Sequence, residues 1–427
     1  MNLPNDLPAW LDYQQRQHSA PIALGLDRVR AVWQALGAPR PPCVISVGGT
    51  NGKGSTVAFL EAMLAAQDVR VGTYTSPHLL RYNERVRVAG RMVEDAALCA
   101  AFARIEQARG STPLTYFEYA TLAGLLLLAA GDVQVGILEV GLGGRLDAVN
   151  IVDADVAVIT TIGIDHVEYL GPDRDSIGRE KAGIARAGRP LVLGSADMPD
   201  GLLDAARATQ AQLLQLGHAF ALEAGADGWT WRAPDGQALQ LPALPLAAPH
   251  QRENAAAALT ALWTLRARLP WQPQRCLPGL ANARLAARLQ SLGGDPELVL
   301  DVAHNAQAAA ELATWLDAQP PRPTRAVFSA LADKDIGAIG AALGARIAHW
   351  HLCPISDAGA RGLDAATVAQ RLATGVPAAR ISTHTDLAAA LHAARAATPA
   401  GGRVLAFGSF HIAGGVLAAG AVAAQRL

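Results

Sequence analysis

The sequence predicts an α/β fold in two domains: a doubly wound N-terminal domain over 1–291 and a smaller, Rossmann-like α/β domain over 292–427. Three observations predict it. Short apolar, β-branched runs alternate with helical patterns. That alternation breaks off once and restarts. A glycine-rich turn joins the first apolar run to the first long helical one. Strands of a parallel sheet read as continuous apolar runs because helices cover both faces.

Taken in order, Cys43–Val47, Val133–Glu139, Asp155–Ile162 and Arg189–Leu193 read as buried strands. Lys53–Gln67, Phe117–Ala130 and Ser176–Ala187 read as the helices between them. Trp229 to Leu246, with Trp231 and several Pro and Gly, suggests a small strand-and-turn insert, and the alanine-rich stretch Arg252–Arg268 a helix. Leu292-Gly293-Gly294-Asp295-Pro296 reads as a hinge. After it come strand Glu297–Val302, helix Ala306–Ala318, strand Arg325–Ser329, helix Ile336–Ala345 and strand Ala348–Leu352. Helices Ala365–Ala373 and Leu387–Ala397, strand Arg403–Phe407 and a last helix from Ile412 close the pattern. No internal repeat is visible.

Composition narrows the class. A chain of 427 residues exceeds one ordinary core, and 51% hydrophobic residues with only 5% aromatics fit a helix-rich globular protein. Gly, Arg or Asp interrupts every apolar run before it reaches a membrane-spanning length, and Met1–Asp6 lacks the basic and apolar regions of a signal peptide. Lys+Arg 36 balance Asp+Glu 37 with no basic stretch, so neither a nucleic acid nor a membrane is expected as a partner. Cys43, Cys99, Cys276 and Cys353 lie far apart without a CxxC spacing, which fits a reduced, cytoplasmic setting.

The strongest local signal is Val44-Ile45-Ser46-Val47-Gly48-Gly49-Thr50-Asn51-Gly52-Lys53-Gly54-Ser55-Thr56. A strand runs into glycines, then a lysine, then hydroxyls that open a helix. Such a loop lets backbone N–H groups close on phosphate oxygens, with the helix dipole adding to the attraction. Lys53 can reach the β- and γ-phosphates of a nucleotide, and Ser55 or Thr56 can face Mg²⁺. The N-terminal domain is thereby a P-loop domain, though Val47 and Gly54 depart from the strict pattern. The loop alone does not separate a nucleotide-hydrolysing switch or kinase from a ligase. No NKxD-like guanine-reading segment follows, which counts against a GTPase.

Three further segments sit near strand ends of the same domain. Glu139 closes its strand and precedes Val140-Gly141-Leu142-Gly143-Gly144-Arg145-Leu146-Asp147; Asp165-His166 follows the next strand; Arg179-Glu180-Lys181 lies on a helix. Taken singly, Glu139 could cap a helix or pair with Arg145, His166 could be a loop histidine, and Lys181 could belong to a solvated face. Together with the loop, a carboxylate, an imidazole and a hydroxyl form a reasonable ligand set for Mg²⁺ on ATP.

Several runs carry a resemblance: Gly49–Thr56, Thr75-Ser76-Pro77-His78-Leu79, Glu84-Arg85-Val86 and Leu114-Thr115-Tyr116-Phe117-Glu118. Leu138–Asp147, Ile164-Asp165-His166, Gly171 to Ile184, Asp301-Val302-Ala303-His304-Asn305 and Gly408-Ser409-Phe410-His411 continue it. From about His18 onward the chain resembles the bacterial dihydrofolate synthase/folylpolyglutamate synthase family, which belongs with the Mur ligases.

The resemblance implies an ATP-dependent ligase that adds L-glutamate to dihydropteroate and to folates through an acyl phosphate. It places ATP at Asn51, Gly52, Lys53, Gly54, Ser55, Thr56, Asn254, Arg288 and Asp301. It places magnesium, two ions, at Ser76, Glu139, His166 and a carbamylated Lys181, and the incoming glutamate near His304. The pterin segments would be Leu24, Gly25, Thr115, Tyr116, Phe117, Glu118, Leu146, Asp147 and Ala148, with Lys53, Lys181 and His304 as catalytic residues. A monomer is expected. The sequence departs from the family in three places: Ala23 for a common Asp, Ala286-Ala287 for Pro-Gly before Arg288, and Ala306 for Pro. A cell-wall Mur ligase would need a uridine-nucleotide domain ahead of the loop, where this chain has about 45 residues. A monofunctional synthase is the remaining alternative.

Overall fold

The computed structural model describes residues 3–20, 22–225 and 228–424; Met1 and Asn2, part of the N-terminal stretch read above, lie outside them. The chain divides into two units. The first comprises Met1–Gly163, Val167–Pro245 and Arg252–Ala283; the second comprises Ile164–His166, Leu246–Gln251 and Arg284–Leu427.

The first unit is built on eight strands: β1 (Cys43–Gly48), β2 (Val71–Tyr74), β3 (Val86–Val88), β4 (Arg91–Met92), β5 (Val135–Glu139), β6 (Val156–Ile159), β7 (Pro190–Leu193) and β8 (Gln212–Gln215). Their order is β4-β3-β2-β5-β1-β6-β7-β8. The run from β2 to β8 is parallel, and β3 and β4 add an antiparallel edge. Every residue of β1, β2, β5 and β6 is buried, as expected where helices cover both faces. Register aligns Val47 with Glu139 and Gly48 with Ile159. The phosphate loop therefore starts beside Glu139 and beside the segment that follows β6. This is the carboxyl edge of the sheet, where doubly wound folds bind ligands.

A small antiparallel sheet, β9 (Ala221–Gly225), β10 (Gly228–Arg232) and β11 (Ala238–Leu241), forms the expected insert. Trp231 anchors it: the indole is fully buried, and its Nε1 donates to Thr260 Oγ1 at 3.0 Å on helix Gln251–Thr264.

The second unit has strands β12 (Gln290–Ser291), β13 (Glu297–Leu300), β14 (Thr324–Phe328), β15 (His349–Leu352), β16 (Ile381–Thr383) and β17 (Arg403–Phe407), in the order β12-β13-β17-β14-β15-β16. All neighbours are parallel except β12 with β13. Phe328, Trp350 and Phe407 pack at its centre, their ring centroids 5.0–5.9 Å apart. The hinge expected at Leu292–Pro296 is instead the turn of the β12–β13 hairpin: Leu292 N–H donates to Leu298 O at 2.8 Å and Leu298 N–H to Gly293 O at 3.0 Å. Residues 284–291 accordingly fall in the second unit. Among the described residues, no helix is long and apolar enough to cross a membrane.

Candidate active site

The loop after β1 owes its shape to two glycines. Gly49 has φ +138 and Gly52 φ +87; a Cβ would lie 1.9 Å from Thr160 Oγ1 at the first and 2.5 Å from Asn254 Oδ1 at the second. Only glycine fits either place. The loop is laced to the segment after β6: Thr50 Oγ1 donates to Gly163 O at 3.1 Å, Asn51 N–H donates to Thr161 Oγ1 at 3.2 Å, and the Thr160 hydroxyl donates to Asn51 O. Asn254, expected at the nucleotide, thus abuts the loop. Thr160 and Thr161 carry no separate signal in the sequence, because β-branched residues there read as more strand.

Helix Lys53–Ala65 starts at Gly52 with no side-chain cap, so its first N–H groups receive no capping oxygen from that residue. Lys53 Nζ donates to Gly49 O and Thr50 O, both at 3.1 Å. The choice between Ser55 and Thr56 also resolves. Thr56 Oγ1 donates back to Gly52 O at 3.0 Å, whereas the buried Ser55 Oγ has no hydrogen-bond partner among the described residues. A buried orphan hydroxyl in the first turn of a helix suits a phosphate or its metal.

Lys181 corrects the solvated-face reading. It is buried, and its Nζ donates to Gly49 O at 3.1 Å, the same carbonyl that Lys53 reaches. Arg145, the partner the sequence offered for Glu139, has its Nη2 2.7 Å from Glu180 Oε1. Glu139 is buried and accepts from Ser76 N–H at 3.2 Å, which brings two expected magnesium ligands together. Glu84 braces that neighbourhood, its carboxylate collecting the N–H groups of Leu79, Leu80 and Arg81 at 2.7–2.8 Å. Carboxylate and hydroxyl oxygens such as those of Glu139 and Ser76 are hard donors that suit Mg²⁺.

The expected pterin segments also meet in this unit. Gly25 N–H donates to Leu146 O at 3.3 Å. Thr115 and Glu118 form a reciprocal cap on helix Tyr116–Ala130. Glu118, 3% exposed, has its second oxygen held by Arg28 Nη2 at 3.0 Å, and the same guanidinium nitrogen donates to Ala23 O at 2.8 Å. Arg28 is a residue that sequence reasoning missed; at Ala23 it uses the backbone carbonyl, so this contact does not depend on the side chain there. Asp147 is buried and accepts from Leu142 N–H at 2.8 Å and Val149 N–H at 2.9 Å. Burial pushes its carboxyl up to about 6, against the opposing pull of those N–H groups and of Lys181.

A second cluster lies in the second unit around Asp165. Lys334 Nζ stands 2.6 Å from its Oδ1, Asn305 Nδ2 donates to Oδ2 at 3.1 Å, and His304 Nε2 is 3.5 Å from Oδ2. Burial would raise the Asp165 carboxyl, but the His304 hydrogen bond and then the Lys334 charge hold it far below the usual carboxylate range. His304 Nδ1 donates to Val302 O at 2.8 Å, which fixes the ring. Asp165, His166 and Asp333 bring one ligand atom each within 4.8 Å of one another. Lys334 gave no signal in the sequence, since a lysine between two aspartates reads as surface.

Asp301 is buried and accepts from Leu289 N–H at 2.8 Å and Ala303 N–H at 2.7 Å; burial raises its carboxyl, with Arg288 opposing. Arg288 lies over the Phe410 ring at 5.7 Å. The family's glycine position, Ala287, keeps the left-handed backbone a glycine would take, at φ +55. Ala306 opens helix Ala306–Asp317, and the Asn305 side chain caps it by accepting from Ala308 N–H at 2.9 Å, so the missing proline costs no cap.

Fold and loop define the class, that of the Mur ligases. Residues 47–262 match the Mur ligase middle domain, and residues 287–410 the Mur ligase glutamate ligase domain. The chain is 43% identical over 407 residues to the dihydrofolate synthase/folylpolyglutamate synthase of Escherichia coli (strain K12), covering 95% of this chain and 93% of that one. The structure of E. coli FolC in complex with DHPP and ADP superposes with a TM-score of 0.93 at 41% identity, covering 100% of both chains. The bifunctional folylpolyglutamate synthase/dihydrofolate synthase of Yersinia pestis, complexed with AMPPNP and Mn ion, gives 0.89 at 42% identity, covering 98% and 99%. The chain belongs to the dihydrofolate synthase/folylpolyglutamate synthase family.

Proposed function

We propose that this chain is an ATP-dependent ligase that joins L-glutamate to 7,8-dihydropteroate and, in a second reaction, to reduced folates. The observation that carries the reading is the meeting of Lys53 and Lys181 on one loop carbonyl, at a helix start that also holds the orphan hydroxyl of Ser55. Relatives complexed with ADP, and with AMPPNP and Mn, support a nucleotide and a divalent metal as ligands of this chain.

The substrate carboxylate oxygen attacks the γ-phosphorus of ATP; the new O–P bond forms as the β–γ bridge breaks and ADP leaves. The glutamate α-amine then attacks the acyl carbon, and phosphate departs as the amide forms and a proton is lost. Lys53 and the backbone N–H groups at the helix start offset charge on the transferring phosphoryl group, the kind of preorganised donor that such transfer depends on. Two magnesium ions, assigned to Ser76, Glu139, His166 and Lys181, would supply further charge neutralisation. Lys181 carries the carbamate in this assignment: a bare ammonium would repel a cation, whereas a carbamate attracts it. Asn254, Arg288 and Asp301 serve the nucleotide, and His304, fixed through Nδ1, stands for the glutamate amine. The Leu24–Gly25, Thr115–Glu118 and Leu146–Ala148 segments hold the pterin. Release of ADP with each acceptor, in the presence and absence of glutamate, tests the reading; release that ignores glutamate would leave a nucleotide hydrolase instead.

A further inference from the structure

Arg85 is a buried cation for which the first unit supplies no anion. The residue is 7% exposed, yet among the described residues no carboxylate stands within ion-pair distance of it. Glu84, its neighbour in the chain, spends its carboxylate on the N–H groups of Leu79, Leu80 and Arg81. The one side-chain hydrogen bond of Arg85 runs from Nε to His78 Nδ1 at 2.9 Å. A guanidinium can only donate, so that nitrogen is the bare one of a neutral imidazole and brings no charge. The guanidinium carbon lies 5.2 Å from the Tyr82 ring centroid and 5.6 Å from that of Tyr116. These rings hold the cation by its face and leave the two terminal nitrogens without a hydrogen-bond partner among the described residues. Buried arginines are ordinarily paired, and an uncompensated one calls for a ligand of opposite charge.

The surroundings say which anion. Tyr116 belongs to the pterin segment Thr115–Glu118. On the other side, Arg85 O accepts from Thr75 N–H at 2.9 Å, and the next residue, Ser76, donates its N–H to Glu139 at 3.2 Å. Arg85 therefore touches the pterin segment and lies one residue across the strand pair from the expected metal ligands. An acceptor with its ring at the pterin segment and its reacting end at those ligands passes this guanidinium. Dihydropteroate carries a single anionic group, its carboxylate.

Resting on the ligase reading above, we propose that Arg85 binds the reacting carboxylate of the acceptor, the benzoate of dihydropteroate or the γ-carboxylate of a folate. The terminal nitrogens grip that carboxylate in a planar fork while His78 fixes Nε, which orients one oxygen for attack. The charge also offsets the repulsion between the carboxylate and the phosphates it approaches.

Calorimetric binding of pteroate and of its methyl ester to the full chain, in ADP and Mg²⁺, tests the proposal, because the two ligands differ only in the anion. The wild type should prefer the acid by roughly tenfold or more, the usual weight of a charge-assisted hydrogen bond. Arg85→Gln should bind acid and ester alike, with ester and ADP affinities near those of the wild type. Arg85→Lys, which keeps the charge without the fork, should fall between, and it carries the test if the Gln variant no longer binds ADP. An acid preference undiminished in both variants would overturn the role of Arg85 and leave the ligase reading standing. Equal weakening of acid and ester would assign Arg85 to packing and overturn the proposal as well. A wild type that binds neither ligand would overturn the ligase reading itself, and the proposal with it.

Discussion

Lys181 Nζ donates to the carbonyl oxygen of Gly49 at 3.1 Å, so a buried lysine from helix Arg174–Ala182 rests on the loop that opens helix Lys53–Ala65. The contact explains why a basic residue in the run Arg179-Glu180-Lys181 turns inward, and it places Lys181 where carbamylation would reverse the charge facing the phosphate loop. Lys181→Ala is expected to keep its fold and lose most ligase activity. Short-chain carboxylic acids added to that variant should restore part of the rate. A variant with undiminished turnover, or one that no carboxylic acid rescues, would count against the carbamate.

Lys53→Ala removes one preorganised donor from the proposed phosphoryl-transfer site. Since such a donor is commonly worth 10²–10³ in rate, the expected loss in kcat is roughly a hundredfold or more, with the circular-dichroism spectrum unchanged. A folded Lys53→Ala protein with near-normal turnover would remove the loop from the mechanism.

Arg28→Ala leaves one oxygen of the buried Glu118 without its guanidinium and releases the Ala23 carbonyl. The pterin-side loop should loosen while the nucleotide loop stays intact. KM for dihydropteroate is expected to rise severalfold with KM for ATP unchanged, measured by ADP release at saturating glutamate. Equal effects on both would place Arg28 in general stability rather than at the pterin end.

How much of this was legible varies by element. β1, helix Leu387–Ala397 and β17 could be read because their runs are apolar or alanine-rich and end at turn residues. The strand ending at Ile162 was read too long: Thr160 and Thr161 are β-branched, but their hydroxyls serve the phosphate loop. Helix Ser176–Ala187 was read too long at its end as well. It stops at Ala182, and Gly183 next to it lies against Arg145, where a Cβ would meet Arg145 Cβ at 2.4 Å. Helix Pro273–Asn282, with Pro278 inside it, gave no helical signal. In the site, the loop and Glu139 announce themselves by position after a strand. Arg28, Thr160 and Lys334 do not, because their partners are 90, 109 and 169 residues away in the chain.

His351 has its ring brought down to about 4 from an ordinary 6.5, by burial and then by the charges of its neighbours. The unfolded chain therefore binds the extra proton between those values, and stability present above about 6.5 is lost as pH falls towards 4. The full effect is at most about 3.5 kcal/mol. His351→Gln, which cannot titrate, should show a flatter pH dependence of its denaturant midpoint across that window. Parallel profiles for the two proteins would contradict the assignment.

The most direct test of the central claim is ADP release by the purified chain with dihydropteroate and with a reduced folate, each with and without L-glutamate. The account predicts release with both acceptors, strictly dependent on glutamate, and formation of the corresponding amide. Release with only one acceptor would reduce the protein to a monofunctional synthase, and release independent of glutamate would contradict the ligase reading outright.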